Sequence, residues 1–378
     1  MIPMLKIAWK FIKFDKAKSI GVIVGILIST FLIGQQLGVF FFLSSLMGAL
    51  AIEVNADVWV VDSKTNDVNR LGRMDIRVLR AVQGIPGVYQ ANPVLISGAS
   101  CNFSNGTSGA ITLIGVDADK VHDVLRPQRI SAGSAPDLLM DGAISAEYFD
   151  KKNLGENINV GTELEINGKR AFFALQTKGF RGFGSSFSVT TIERARYFSN
   201  QSPNTISAIL VKVPPGTDPG TVAAAINNTL TGVRAWRAND LAASSIRKIL
   251  SSSGIALSTG TLIVFALIAG FFIIGLTMYS SALDRLKDYG TLKAIGAGNG
   301  YISRLILTQA TLFSVVGFVL GMLLLEGFRR GVSNSGLLFS FSPTMLLAMF
   351  GTISLISLGG ASFALGRIRK IEPAAVFR

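Results

Sequence analysis

Long stretches without a charged residue alternate along this chain with segments of ordinary polarity. A helix needs about 20 apolar residues to cross a hydrocarbon core about 30 Å thick. The uncharged stretches run from Ser19 to Ile52, from Ser251 to Leu283, from Leu305 to Leu325 and from Gly331 to Gly366. The pattern predicts four transmembrane helices, and the length of the first two predicts that they continue beyond the membrane as stalks.

The first uncharged stretch follows several lysines, as the apolar core of a signal peptide does. It is more than twice as long as such a core, which spans about 7 to 15 residues, so we interpret it as a retained span. The predicted segments are a cytoplasmic amphipathic N-terminus (1–18), helix 1 with its stalk (19–52), an external domain (53–248), a stalk with helix 2 (249–283), a cytoplasmic loop (284–301), helix 3 (302–326), an external loop (327–342), helix 4 (343–366) and a cytoplasmic tail (367–378).

Lysine and arginine are concentrated on one side of the predicted spans. They precede helix 1, lie between helices 2 and 3 and follow helix 4, whereas the opposite short loop holds only Arg329 and Arg330. Lysine and arginine close to spans mark the cytoplasmic side. We therefore expect a multi-pass membrane protein with both termini cytoplasmic and residues 53–248 translocated.

The external domain has the pattern of a folded soluble domain. Short runs rich in β-branched residues, at 56–62, 110–116, 171–177 and 206–213, are separated by Gly, Pro and Asn. At nearly 200 residues the domain can bury its own core. The predicted fold class is α+β: four transmembrane helices plus a large mixed α/β extracytoplasmic domain between the first and second.

A weak internal similarity links the two ends of this domain. The strand at 56–62 is followed by a helical pattern at 75–82, and the strand at 206–213 by one at 219–230; each helix leads through a Gly-Val pair into another strand. Two such βαβ units can pair into one sheet covered by helices. We therefore predict two βαβ halves with an inserted β-rich lobe at about 100–195.

The residues with special chemistry are few. A net charge of +13 does not indicate a nucleic-acid groove, because most of the excess flanks the predicted spans. The single cysteine, Cys101, excludes an internal disulfide and is either a small apolar residue in a strand or a link between chains. The single histidine, His122, lies near Asp119 and Asp123, which is a weak basis for a metal site. We expect no bound metal.

Catalytic motifs are also missing from the sequence. It contains no G-x-x-x-x-G-K-[S/T] phosphate loop, H-E-x-x-H, C-x-x-C or G-x-S-x-G. The spans lack the buried charges of an ion-coupled transporter. We therefore expect a non-enzymatic membrane subunit that binds no cofactor itself and takes its energy from elsewhere.

Small residues at a spacing of four recur in two of the spans. Such pairs let helices approach closely, within one chain or between chains. The candidates for helix packing are Gly21, Gly25, Gly34, Gly38, Gly317 and Gly321.

Phenylalanines surround a glycine-rich turn at 179–184 in the predicted lobe. Phe180, Phe183 and Phe187 form either an apolar surface for a substrate or partner, or the core around a hairpin.

The most informative motif lies between helices 2 and 3. Residues 284–297 read DRLKDYGTLKAIGA, a short charged helix closed by a glycine, and the chain ends in RIRKIEPAAVFR. Both motifs resemble the permease family that includes FtsX, MacB, LolC and LolE, and the layout of the whole chain is similar to that family. The motifs at 36–38 and 56–61 look most like its DevC-like branch. Asp288 and Tyr289 depart from the family pattern, which usually has Glu and Ile there.

This resemblance implies a permease homodimer that works with a separate ABC ATPase, on which ATP and Mg²⁺ are bound. The charged helix would dock on that ATPase through Asp284, Arg285, Lys287, Asp288, Tyr289, Leu292 and Lys293, with Gly290 and Gly296 shaping the segment. The leading hypothesis is an exporter that expels an amphipathic or hydrophobic substrate with a membrane-fusion adaptor protein. The alternatives are an FtsX-like mechanical relay that controls a cell-envelope enzyme, and a receptor with an external ligand-binding domain.

Overall fold

The structure is a computed structural model that describes residues 16–154, 158–339 and 341–368. The N-terminal segment up to residue 15 and the C-terminal motif from residue 369 lie outside the described residues. The chain divides into two compact units. We call Leu43–Gly254 the α/β domain, and Met1–Phe42 with Ile255–Arg378 the helical domain.

Helix α1, Lys16–Glu53, begins in the helical domain and its last residues belong to the α/β domain. The α/β domain also contains the helices α2 (Val78–Gln83), α3 (Val121–Val124), α4 (Lys151–Leu154), α5 (Ile192–Ser199), α6 (Pro219–Thr229) and α7 (Ala238–Ser253). Its strands are β1 (Val58–Asp62), β2 (Met74–Asp75), β3 (Gln90–Phe103), β4 (Ser108–Val116), β5 (Ile130–Ala132), β6 (Ala143–Glu147), β7 (Glu163–Ile166), β8 (Lys169–Thr177), β9 (Ser186–Thr191), β10 (Thr205–Ile206), β11 (Ala208–Lys212) and β12 (Val233–Arg237).

The two ends of this domain form one interleaved sheet. Neighbouring strands lie in the order β12-β1-β11-β3, and every pair is antiparallel. Strand β11 lies between β1 and β3, and β1 lies between β11 and β12. Each of the two βαβ motifs, β1-α2-β3 and β11-α6-β12, therefore has a strand of the other motif between its own two strands. The two ends therefore share one sheet, and neither unit forms a sheet alone.

The predicted lobe at about 100–195 is not separate from this sheet, which corrects the prediction. Strand β3 is 14 residues long; its first part pairs with β11, and its later part pairs with β4 and β7. Strands β5 to β9 continue the same ten-stranded sheet from there. The inserted segment is thus built directly on β3, because one long strand serves both regions.

Strand β1 lies in the interior of the domain and is covered on both faces. Val58 and Val60 point into one buried cluster, whereas Trp59 and Val61 point into the other. The second cluster also contains Leu50 of α1 and Leu241 of α7. A continuous apolar run, VWVV, is expected for a strand buried on both faces.

The helical domain consists of the first part of α1 together with α8 (Ile255–Asp284), α9 (Leu286–Ala294), α10 (Asn299–Ser333) and α11 (Pro343–Ile368). Among the described residues, four helical segments are long and apolar enough to cross a membrane: Ser19–Glu53, Ile255–Ser281, Asn299–Ser333 and Pro343–Phe363. This confirms the predicted fold class of four apolar helices and a large α/β domain after the first.

The helix ends in the structure differ from two of the predicted segment bounds. Within 249–283, predicted as a stalk with helix 2, α7 ends before Gly254, whose φ of 66° is left-handed, and α8 begins at Ile255. Helix α10 continues to Ser333, past residue 326, where the predicted helix 3 ends. In its last turns Glu326 pairs with Arg329 and Arg330, both at 2.7 Å, so charges that suggested a loop stabilise a helix end.

Candidate functional site

The segment that joins α8 to α10 is a short helix with a break at each end. Helix α8 ends at Asp284, and Arg285, with φ −102° and ψ 19°, separates it from α9. Helix α9 ends at Ala294, and Gly298 is the N-cap of α10. The predicted charged helix therefore forms, and it is a distinct element from the apolar helices on either side.

Gly296 ends α9 with a Schellman cap. The amide of Ala297 donates to the carbonyl of Leu292 at 2.9 Å, and the amide of Gly296 donates to that of Lys293 at 3.0 Å. This pairing needs a left-handed residue, and Gly296 has φ 100°. The glycine is required here because a side chain in this conformation is strained.

One face of this segment is buried within the helical domain. Tyr289 is 2% exposed and belongs to the same apolar cluster as Met278 and Ile302, while Arg285 is 8% exposed. Gly290 is buried and Leu292 is half-buried against this cluster. Burial raises the pKa of Tyr289 to about 12, so its hydroxyl stays neutral.

The opposite face is exposed and carries both charges and an apolar side chain. Lys287, Asp288 and Thr291 of α9 are exposed at spacings that place them on one helical stripe. Asp284, the last residue of α8, and Ile295, the first residue after α9, flank this stripe; both are exposed, Ile295 by 77%. A charged stripe that ends in an exposed isoleucine can contact a groove on another protein.

The structure thus divides the predicted docking residues into two groups. Asp284, Lys287 and Asp288 are exposed, and Lys293 is half-buried. Arg285 and Tyr289, which were predicted to contact the ATPase, are buried within the helical domain, and so is Gly290, which was predicted to shape the segment. Sequence reasoning missed Ile295; the available signal was an apolar residue directly before the capping glycine.

The predicted packing glycines lie at close approaches inside the helical domain. A Cβ atom on Gly317 would lie 2.6 Å from Cβ of Ile26, and one on Gly321 would lie 2.6 Å from Cβ of Thr30. Gly34 faces Leu325 and Met349, Gly38 faces Phe339, Gly25 faces Ile273, and Gly21 is in ordinary contact with Thr277. These glycines therefore bring helices of one chain together.

The predicted aromatic surface is mostly core. Phe180 is 0% and Phe187 2% exposed, and their rings stack edge to face with centroids 5.3 Å apart. Phe183 is half-buried. The surface interpretation is wrong for Phe180 and Phe187, because the glycine-rich turn folds them inward against each other.

The cysteine and the histidine have ordinary surroundings. Cys101 is fully buried, and its thiol donates to the carbonyl of Gly109 at 3.3 Å. His122 is largely exposed, 3.4 Å from Asp123. Among the residues the structure describes, no three His, Cys, Asp or Glu side chains are grouped as metal ligands.

Two family descriptions match this chain. Residues 19–229 match the MacB-like periplasmic core domain, and residues 260–373 match the FtsX-like permease C-terminal domain. The first match covers more than half of the chain and the second includes α9.

A relative and two solved structures give further comparisons. The chain is 25% identical over 328 residues to the "Macrolide export ATP-binding/permease protein MacB 2" of Aeromonas hydrophila subsp. hydrophila, a match that covers 83% of this chain and 48% of the relative. The chain thus spans about half the length of that protein.

The solved structures are of isolated domains. The periplasmic region of MacB from Actinobacillus actinomycetemcomitans matches with a TM-score of 0.38 and 8% identity, over 53% of this chain and 96% of that one. The extracellular domain of the noncanonic ABC-type transporter YknZ from Gram-positive bacteria matches with a TM-score of 0.35 and 14% identity, over 48% and 99%.

Proposed function

The chain belongs to the permease family with a MacB-like periplasmic core domain and an FtsX-like C-terminal domain, and from this membership we propose that it is the permease subunit of an ATP-driven exporter. The energy comes from an ABC ATPase that binds ATP and Mg²⁺. The permease itself has no catalytic residue; it passes the motion of the ATPase to its α/β domain. The match of residues 260–373 to a permease domain favours this function over that of a receptor.

The observation that carries this proposal is the exposed stripe of α9. The helix is held on one face by buried Tyr289, and it presents Lys287, Asp288 and Ile295 on the other. An apolar anchor ringed by charges is the usual composition of a docking contact. A short helix fixed to the membrane helices in this way moves with whatever binds it.

The ATPase, the adaptor and the substrate are part of the same proposal. The name of the Aeromonas hydrophila relative joins ATP binding and macrolide export to a permease, which supports an ATPase partner and an exported hydrophobic compound. The DevC-like motifs support a membrane-fusion adaptor, and the family resemblance supports a homodimer. In this arrangement α9 faces the cytoplasm, both termini lie on the same side of the inner membrane, and the α/β domain lies outside.

Co-purification tests the docking site. The full chain is isolated from its native membrane in mild detergent, and the co-purifying ATPase is identified and quantified by mass spectrometry. Ile295→Asp and Asp288→Arg should each lower the recovered ATPase about tenfold, since losing one central contact costs about 1.4 kcal/mol or more.

Lys64→Glu is the matched control, because Lys64 is an exposed charge in the α/β domain. It should leave the recovered ATPase unchanged. Equal recovery of the ATPase with the parent chain and with both α9 variants would contradict docking at this stripe, and a parent chain that recovers no ATPase would contradict the exporter.

A further inference from the structure

The last turn of α1 is held by two arginines from one short segment of the α/β domain. Arg129 donates from Nε and Nη2 to the two carboxylate oxygens of Glu53, at 2.9 and 2.6 Å. Arg126 donates from Nη2 to the carbonyl of Ile52 at 2.9 Å. A bidentate pair fixes the relative orientation of the two side chains as well as their distance.

Other donors hold the same end of the helix. The indole of Trp59 donates to the carbonyl of Ala51 at 3.3 Å, and the side-chain amide of Asn69 donates to the carbonyl of Met47 at 2.7 Å. The carbonyls of Ala51 and Ile52 lie in the last turn and lack partners within the helix, so Trp59 and Arg126 satisfy them, while Asn69 adds a bond one turn earlier. The end of α1 is therefore a fixed part of the α/β domain.

Arg129 also contacts the glycine-rich turn at 179–184. Its backbone carbonyl accepts from the amide of Lys178 at 2.7 Å. Its guanidinium lies against Gly179, where an added Cβ would be 2.5 Å from Nη1. Gly179 has φ 85°, so its backbone conformation requires glycine. One residue thus joins Glu53 to the start of the turn.

Glu147 holds the turn from its other side. Its carboxylate accepts from the amide of Gly179 at 2.7 Å, from the amide of Phe180 at 3.0 Å and from the hydroxyl of Thr177 at 2.8 Å. Glu147 is the last residue of β6 and is fully buried. The start of the turn is therefore fixed between a strand of the sheet and the end of α1.

We propose that Glu53 and Arg129 form a transmission clamp that makes the 179–184 turn follow the end of α1. Helix α1 is one continuous helix from Lys16 to Glu53. Arg129 passes a displacement of Glu53 to Lys178 and Gly179, and Phe183 of the turn moves with them. Arg129 is a positioning residue, and this role rests on the proposed function, in which the motion of the ATPase reaches the α/β domain.

A double-mutant cycle on the full chain in detergent tests the clamp without any partner. Hydrogen exchange of the amides of Lys178, Gly179 and Phe180 is measured for the parent, Glu53→Gln, Arg129→Gln and the double variant. Each single substitution should speed exchange about tenfold, as expected when a charge-assisted hydrogen bond is lost. The double variant should exchange no faster than either single variant, because both remove the same contact.

A fluorescent label reports transmission when the ATPase is present. Phe183→Cys introduces the labelling site, and the native Cys101 is fully buried and so is not labelled. In the complex of permease and ATPase, adding ATP should change the emission of this label. The change should disappear when Arg129→Gln is added, although ATPase binding itself is retained.

Arg77→Gln is the control, since Arg77 forms a comparable pair with Asp75 at 2.7 Å on the surface. It should alter neither measurement. Additive effects of Glu53→Gln and Arg129→Gln on exchange would overturn the clamp. A label at position 183 whose emission responds to ATP equally with and without Arg129, or does not respond to ATP at all, would also overturn it. If the exporter proposal fails, no ATPase binds the chain. The exchange experiment needs no ATPase, so it tests the clamp in either case.

Discussion

Gly275 of α8 and Gly360 of α11 lie in direct contact, backbone against backbone. A Cβ atom built on Gly360 would lie 2.9 Å from both Cα and N of Gly275. No side chain can move aside to relieve such a contact, so the crossing of α8 and α11 depends on Gly360. Neither glycine belongs to the pairs with a spacing of four that the sequence indicated.

Gly360→Val should therefore destabilise the helical domain. Overpacking of a filled interface costs about 1 to 3 kcal/mol, and here the opposing atoms are backbone. Thermal unfolding of the full chain in detergent measures the loss. Gly351→Ala is the control on the same helix, because nothing lies within 4 Å of its Cβ position; equal melting of both variants would contradict the crossing.

Tyr289 should contribute to the stability of the fold, whereas Lys287 should not. Tyr289→Ala removes a large side chain that is 2% exposed and should lower the free energy of unfolding by about 3 kcal/mol or more. Lys287→Ala changes an exposed position and should alter it by less than about 0.5 kcal/mol. Chemical denaturation of the two variants measures both values. A larger loss for Lys287→Ala would contradict the assignment of the two faces of α9.

Gly296→Ala should loosen the end of α9. Its φ of 100° is strained for alanine, at a cost of about 1 to 2 kcal/mol. The amides of Gly296 and Ala297 bond to Lys293 and Leu292 only through this cap, so hydrogen exchange at position 297 should become faster. Gly300→Ala is the control, since Gly300 is helical with open space around it and should leave that exchange unchanged.

The stability of the α/β domain should depend on pH through Glu147. Burial raises the pKa of this carboxyl above its ordinary value of 4.5, despite the hydrogen bonds it accepts from Gly179, Thr177 and Phe180. The folded chain therefore binds this proton more tightly than the unfolded chain. Its contribution is complete below the unfolded pKa and is lost as pH rises through the folded pKa.

Unfolding of the parent chain and of Glu147→Gln, compared from about pH 4 to about pH 8, measures this contribution. The stability of the parent relative to the variant should fall from about pH 4.5 upward and then level off. Glu147→Gln should also be less stable at neutral pH, by about 1 to 3 kcal/mol, because the amides of Gly179 and Phe180 bond to different carboxylate oxygens and the nitrogen that replaces one of them cannot accept. A constant difference across this range would show that Glu147 does not titrate there.

Much of the architecture follows from local patterns. Uncharged runs predicted the four apolar helices, since the hydrocarbon core admits little else over that length. Alternation and glycine punctuation predicted the α/β domain, and the sequence similarity of its two ends predicted their joint sheet. The helix 284–297 was recognisable from its motif, and its position between α8 and α10 follows from chain order.

The candidate site was only partly predictable. The spacing of Tyr289, Leu292 and Ile295 by threes suggests one buried face, yet Ile295 is 77% exposed because α9 has already ended at Ala294. Phe180 and Phe187 are turned inward by glycines whose effect depends on neighbours distant in sequence. Periodicity predicts the buried face of a single helix or strand, but it does not predict the residue at which that element ends.

The sequence by itself determined the class of protein, the number of spans and the family, because burial in lipid and strand alternation are properties of consecutive residues. Only the tertiary structure decided which side of α9 faces outward, that Gly275 meets Gly360, and that Glu53 pairs with Arg129 across 76 positions of chain. Those contacts join segments far apart in sequence, and they form only when the packing of whole elements brings specific side chains within hydrogen-bond or van der Waals distance.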